Sequence, residues 1–235
     1  GGSRPDHAAR RARLADAVAA TGLDAMLVTR PVNVRYLTGF SGSAGALLVP
    51  AEPTDDPLLA TDDRYVVQTG AEAPDVPLVV TRTYASSLLE QAHGSGLHRV
   101  GFEDDHVTVA ALDRMRRTVP AVHLAPAGRP VETLREVKDA HELELVRTAC
   151  RISDEALARS REHDDWVGRT ERQVAAVLEG RMRDLGADGA AFETIVGAGP
   201  SSAVPHHRPT DRPLTPGDLV VVDFGARVDG YHADM

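Results

Sequence analysis

Residues 219–235 read Leu-Val-Val-Val-Asp-Phe-Gly-Ala-Arg-Val-Asp-Gly-Tyr-His-Ala-Asp-Met. The apolar run Leu219–Val222 is short and β-branched, which predicts a buried strand ending in the carboxylate of Asp223. Asp229-Gly230 is a strong two-residue hairpin signal. A turn there sets Val228 opposite Tyr231 and Gly225 opposite Asp234. Side chains alternate along a strand, so Asp223 and Gly225 share a side. Asp223 and Asp234 then become diagonal neighbours on one face, roughly 7–8 Å apart at the backbone. Two carboxylates aimed at one spot repel unless a cation or a proton lies between them. Oxygen-only donors suit a hard divalent ion such as Mn, or a two-metal cluster. The same pair also fits two solvated carboxylates without a special role.

Upstream, strands and helices alternate. A helix is expected over Asp6–Thr21, with Leu14 and Val18 on one face and Gly22 as its stop. Strands are expected at Ala25–Thr29, Gly45–Val49, Pro57–Ala60, Val76–Thr81, Arg99–Phe102 and Ala121–Leu124. Helical segments are expected near Ser86–His93 and Val109–Val119, and Thr61 or Asp62 can cap a further helix. This alternation predicts an α/β domain with a mixed sheet. The stretch 30–45 is rich in Gly and Ser, which argues against a helix there. Its glycines fit neither a phosphate loop, which needs a Walker lysine, nor the dinucleotide spacing. Pro126–Pro130 interrupts the pattern and reads as a linker.

Beyond it, one long amphipathic helix is expected from Leu134 to about Glu162. His141-Glu142 opens like a zinc-protease motif, but position 145 is Leu, so the motif fails. A second helix begins at Thr170-Glu171 and ends near Leu185-Gly186. Its apolar stripe of Val174, Val177, Leu178 and Met182 reads as core packing. Phe192–Gly199 is strand-like and then turns, and Pro205-His206-His207 follows. A histidine is suited to proton transfer, because its ordinary pKa lies near working pH.

Composition narrows the functional classes. The 235 residues are 42% hydrophobic, enough for a real core, and carry a net charge of −9. That charge argues against nucleic-acid or anionic-membrane partners. No run approaches the apolar length of a membrane span. Cys150 is the single cysteine, so no internal disulfide can form, and a reducing, cytoplasmic setting is expected. Cys150 itself reads as a small buried residue rather than a nucleophile. Gly1-Gly2-Ser3 reads as a cloning remnant.

Asp-Phe-Gly-Ala (223–226), Asp-Gly-Tyr (229–231) and Ala-Asp-Met (233–235), with the two carboxylates eleven positions apart, resemble the first metal-binding segment of the pita-bread metallopeptidases. That family contains Xaa-Pro aminopeptidases, prolidases, methionine aminopeptidases and the non-peptidase creatinases. Val34-Arg-Tyr-Leu-Thr-Gly-Phe-Ser-Gly42 and Thr61-Asp-Asp-Arg-Tyr65 are similar to the amino-terminal domain of aminopeptidase P and prolidase-like proteins, a domain that methionine aminopeptidases lack.

The resemblance implies a creatinase-like amino-terminal α/β domain over residues 4–130. It implies the first part of an α+β pita-bread domain over 131–235. It further implies two divalent ions, Mn foremost with Co or Zn as alternatives, that activate a bridging water. Asp223 would bind one ion, Asp234 would bridge both, and His206 would contact the substrate, a peptide cleaved before proline. A homodimer is expected. The family uses five protein ligands, of which three lie downstream of the second Asp. This chain is therefore expected to be truncated and inactive as it stands. A creatinase-type C–N hydrolase and a non-catalytic binding module are the alternatives.

Overall fold

Asp6 caps the first helix through a bond from the Ala9 amide at 2.9 Å. The structure is a computed structural model that describes residues 5–235. Its chain divides into two compact units, Asp6–Val137 and Lys138–Met235.

In the first unit, α1 (His7–Ala19), β1 (Ala25–Val28), α2 (Pro31–Thr38), β2 (Ala46–Pro50), β3 (Leu58–Thr61), α3 (Val66–Glu72) and β4 (Leu78–Val80) come first. Then follow α4 (Tyr84–Gly94), β5 (Arg99–Phe102), α5 (Val109–Thr118), β6 (His123–Pro126) and α6 (Pro130–Glu136). Six strands form one sheet in the order β4-β3-β2-β1-β5-β6. The central strand β1 runs antiparallel to β2 and parallel to β5, so the sheet is mixed. All four β1 residues are buried. Met26 and Val28 pack into one core layer with Leu14, Val18 and Leu37. Ala25 and Leu27 pack into the opposite layer with Leu88, Leu89 and Met115. Each fully buried Leu or Met contributes roughly 1.5–3 kcal/mol.

Helix α2 corrects the expectation that 30–45 is helix-free. Pro31 occupies the first helical turn, where its missing N–H costs nothing, and the first glycine of the stretch, Gly39, comes only after the helix ends. No side chain of its own caps α2. The buried Glu103 does so instead, accepting from the Thr29 and Arg30 amides at 2.6 and 2.9 Å and from Asn33 Nδ2 at 2.7 Å. Just past the stretch Pro126–Pro130, Val131 of α6 lies fully buried in the first layer.

The second unit contains α7 (Ala140–His163), α8 (Glu171–Asp184), β7 (Gly189–Ala190), β8 (Ile195–Ala198), β9 (Val220–Asp223), β10 (Ala226–Val228) and β11 (Tyr231–His232). The single helix expected from Leu134 is two helices. Residues 137–139 break it, and Asp139 starts α7 afresh through a capping box with Glu142. Val174, Leu178 and Met182 of α8 meet Ile152 and Ala156 of α7, with Phe224 and Ala226, in one core. β8 pairs with β9, and β10 lies between β7 and β11.

Two burial expectations are corrected here. Leu219 and Val221 are 72% and 42% exposed, so the run 219–222 turns only alternate residues inward. Cys150 lies on the exposed side of α7. No helix among the described residues is long and apolar enough to cross a membrane.

Gly225 is the tightest position in this unit. A Cβ there would sit 1.9 Å from the Ala233 carbonyl oxygen. Gly225→Ala is expected to cost at least about 3 kcal/mol, the top of the range for forced overpacking. Gly180→Ala, with nothing within 4 Å of the added carbon, is expected to stabilise α8 by about 0.5–1 kcal/mol. Urea midpoints of the two variants check this; equal midpoints would contradict it.

Candidate active site

The hairpin forms as its dipeptide predicts. Asp229 and Gly230 have φ of 50° and 83°, the double positive φ of a type I′ turn. Val228 pairs with Tyr231 and Arg227 with His232. The ladder continues: Ala233 donates to the Ala226 carbonyl at 2.9 Å, and Phe224 and Met235 exchange two bonds of 3.0 Å. Gly225 therefore stands opposite Asp234. On the other side of the same strand, Asp223 pairs with Ile195 of β8.

Asp223, Asp234 and, from a separate loop, His206 line one open cavity of about 470 Å³. Residues 192–195 supply one wall and the loop 206–209 another. Arg208 and Glu193 face each other at the rim at 3.8 Å, both more than 80% exposed, so their pairing adds little stability. Thr194 Oγ1 is buried without a protein hydrogen-bond partner, and Thr194 lines the cavity. An unsatisfied buried hydroxyl costs roughly 1–3 kcal/mol, which a bound ligand or water would recover.

His206 has φ of 56°, an uncommon conformation for a residue other than glycine. His207, which the sequence presents only as its neighbour, is largely buried and bonds through Nε2 to Glu171 Oε2 at 2.8 Å. Glu171 is fully buried. Its Oε2 also accepts from the Thr210 amide at 2.9 Å and the Thr210 hydroxyl at 2.7 Å. Its Oε1 accepts from the Ala198 amide at 2.9 Å. Burial pushes this carboxyl up, but the bonds from His207, Ala198 and Thr210 outweigh it and hold the group down at about 2. In sequence, Thr170-Glu171 signals only a helix start, which it is: Thr170 and Gln173 form a capping box.

The donor set is oxygen-rich and of the kind a hard divalent ion takes, but it is small. Two carboxylates offer at most four oxygens, against the six or more ligands such an ion takes. No group of three or more His, Cys, Asp or Glu side chains able to hold an ion occurs among the described residues. These residues do not compose a complete metal centre.

Residues 10–137 match the creatinase/prolidase N-terminal domain, and residues 144–235 match metallopeptidase family M24. The chain belongs to the creatinase/prolidase metallopeptidases. It is 33% identical over 218 residues to an uncharacterized peptidase of Bacillus subtilis, covering 91% of this chain and 60% of that protein. It is 26% identical over 215 residues to the Xaa-Pro dipeptidase of Pyrococcus furiosus, covering 91% and 59%. Among solved structures, the Xaa-Pro dipeptidase from Bacillus anthracis superposes with a TM-score of 0.89 at 29% identity, over 97% of this chain and 63% of that one. The X-Pro aminopeptidase from Thermotoga maritima gives 0.82 at 31% identity, over 95% and 63%. The fold is thus that of the pita-bread prolidases, and the family is one of divalent-metal hydrolases. The chain spans about 60% of the length of the curated relatives it matches.

Glu171 makes acid stability a readout of the loop. Its folded pKa of about 2 lies below the ordinary 4.5. The stabilisation is therefore present above pH 4.5 and is lost as pH falls toward 2. The loss is expected to reach about 3 kcal/mol at most. Urea unfolding of the second unit between pH 5 and 2 measures it. Glu171→Gln should flatten the slope; an unchanged slope would assign the acid sensitivity elsewhere.

Proposed function

We propose that the polypeptide carrying this sequence is a metal-dependent peptidase that cleaves the bond preceding proline in short Xaa-Pro peptides. The observation that carries this reading is the convergence of Asp223, Asp234 and His206 on one cavity, in a chain of the creatinase/prolidase family. The relatives named Xaa-Pro dipeptidase and X-Pro aminopeptidase support the substrate class.

Within that reading, Asp223 and Asp234 are metal-binding carboxylates, and Mn is the first metal to test. When bound, such ions supply a nucleophilic water at neutral pH. His206, at the rim of the same cavity, contacts the substrate and holds or passes a proton at the scissile peptide. Glu193 and Arg208 provide exposed charges of both signs at the mouth, where a zwitterionic dipeptide would arrive.

Two measurements test this. The 235-residue chain, offering two carboxylates alone, is expected to bind Mn more weakly than micromolar by calorimetry and to release no proline from Xaa-Pro dipeptides. The native gene product that carries the sequence is expected to cleave Xaa-Pro in preference to Xaa-Ala dipeptides when supplied with Mn. Asp223→Asn or Asp234→Asn in that gene product should lower kcat/KM more than about 100-fold, beyond what the outer partners of a metal site cost. Tight two-site binding by the 235 residues, or a gene product indifferent to either substitution, would defeat the proposal.

A further inference from the structure

The left-handed backbone of His206 has to be held in place. A non-glycine residue in that region costs on the order of 1–3 kcal/mol and persists only where its surroundings over-determine it. His206 itself is exposed, so packing of its own side chain does not supply the restraint. The restraint lies just downstream. His207 and Thr210 both bond to Glu171 Oε2. Oε1 is tied to the Ala198 amide at the end of β8. One buried carboxylate thus joins three pieces: the first turn of α8, the end of β8, and the loop that carries His206. The site is electrostatically prepared for it, since a helix N-terminus favours a negative charge.

We propose that Glu171 and His207 are positioning residues, a clamp that fixes loop 204–210 and so aims His206 at the cavity shared with Asp223 and Asp234. Its catalytic consequence rests on the peptidase reading above; its structural content does not. An ionised carboxylate only accepts hydrogen bonds, so Nε2 of His207 carries a proton and donates it to Glu171 Oε2. Four donors converge on two oxygens. A glutamine at 171 has one acceptor oxygen, and its NH₂ group would face N–H or O–H donors. Glu171→Gln therefore breaks the clamp despite its shape. His207→Gln, by contrast, keeps an N–H donor on a side chain of similar reach.

The test has two arms. In the 235-residue chain, long-range ¹H–¹⁵N spectra should show a proton on His207 Nε2. Amide exchange should show Ala198 and Thr210 protected in the wild type and in His207→Gln, and unprotected in Glu171→Gln. In the native gene product, Glu171→Gln and His207→Ala should each lower kcat/KM for an Xaa-Pro dipeptide about 10- to 100-fold, as outer-shell partners do. His207→Gln should recover most of that loss with the wild-type pH profile. The Nδ1–H tautomer, or equal exchange in wild type and Glu171→Gln, would overturn the clamp. So would a His207→Gln enzyme as impaired as His207→Ala, for that would make the imidazole itself the working group. If the wild-type gene product cleaves no Xaa-Pro peptide, the peptidase reading falls while the spectra and exchange still decide the clamp.

Discussion

The pairing of residues 224–228 with 231–235 is the constraint on which the second unit depends. Its register is set by a turn whose two residues both need positive φ, and by Gly225, where no side chain fits against the Ala233 carbonyl. A slip of one residue would turn Asp234 to the opposite face, because strand side chains alternate. The same run of backbone also serves a second sheet. Asp223 pairs with Ile195 of β8, while three residues later Ala226 pairs with Ala190 of β7. Between them Phe224 is buried in the core. The Ala226 amide donates to Ser153 Oγ of α7 at 2.9 Å. Tyr231 reaches Glu142 at the start of the same helix at 2.9 Å. The hairpin is thus tied to α7 at two separated points, and the two carboxylates inherit that rigidity.

The opposite wall of the cavity is organised by charge rather than by apolar packing. Burying a carboxylate is costly unless its oxygens are satisfied. Glu171 meets that cost with four hydrogen bonds from two parts of the chain, the end of β8 and the loop 207–210. Glu103 does the analogous task in the first unit, where it assembles the start of α2. In both cases one buried acid binds the backbone amides of a segment that lacks regular partners.

The chemistry of the cavity follows from these two walls together. One presents Asp223 at the end of β9 and Asp234 on the hairpin, the other an imidazole on a loop with a left-handed backbone. Both carboxylates lie in the part of the chain that matches the metallopeptidase family M24. No group of three or more side chains able to hold an ion occurs among the described residues, and the chain spans about 60% of the length of the curated relatives it matches.

Local signals by themselves determined a good part of this protein. Asp229-Gly230 specified the hairpin and its register. Thr170-Glu171 marked the start of α8, and the stripe of Val174, Leu178 and Met182 marked its buried face. The alternation of strands and helices specified a mixed α/β unit, and the Asp-Phe-Gly, Asp-Gly-Tyr and Ala-Asp-Met motifs pointed to the family. Each of these is carried by residues within a few positions of one another, which is why it was legible. What needed the tertiary structure involves partners far apart in the chain. Helix α2 starts on a carboxylate 70 residues beyond Asn33, so its cap is not visible in the residues around Pro31. Leu219 and Val221 are as apolar as buried strand residues, and only the packing of the opposite face of β9, Val220 and Val222, against the core decides that they face outward. Glu171 and His207 stand 36 positions apart. Their meeting, and the hold it gives the loop beside His206, was decided by packing α8 against β8, because burial and hydrogen-bond partnership are properties of the folded neighbourhood and not of the local sequence.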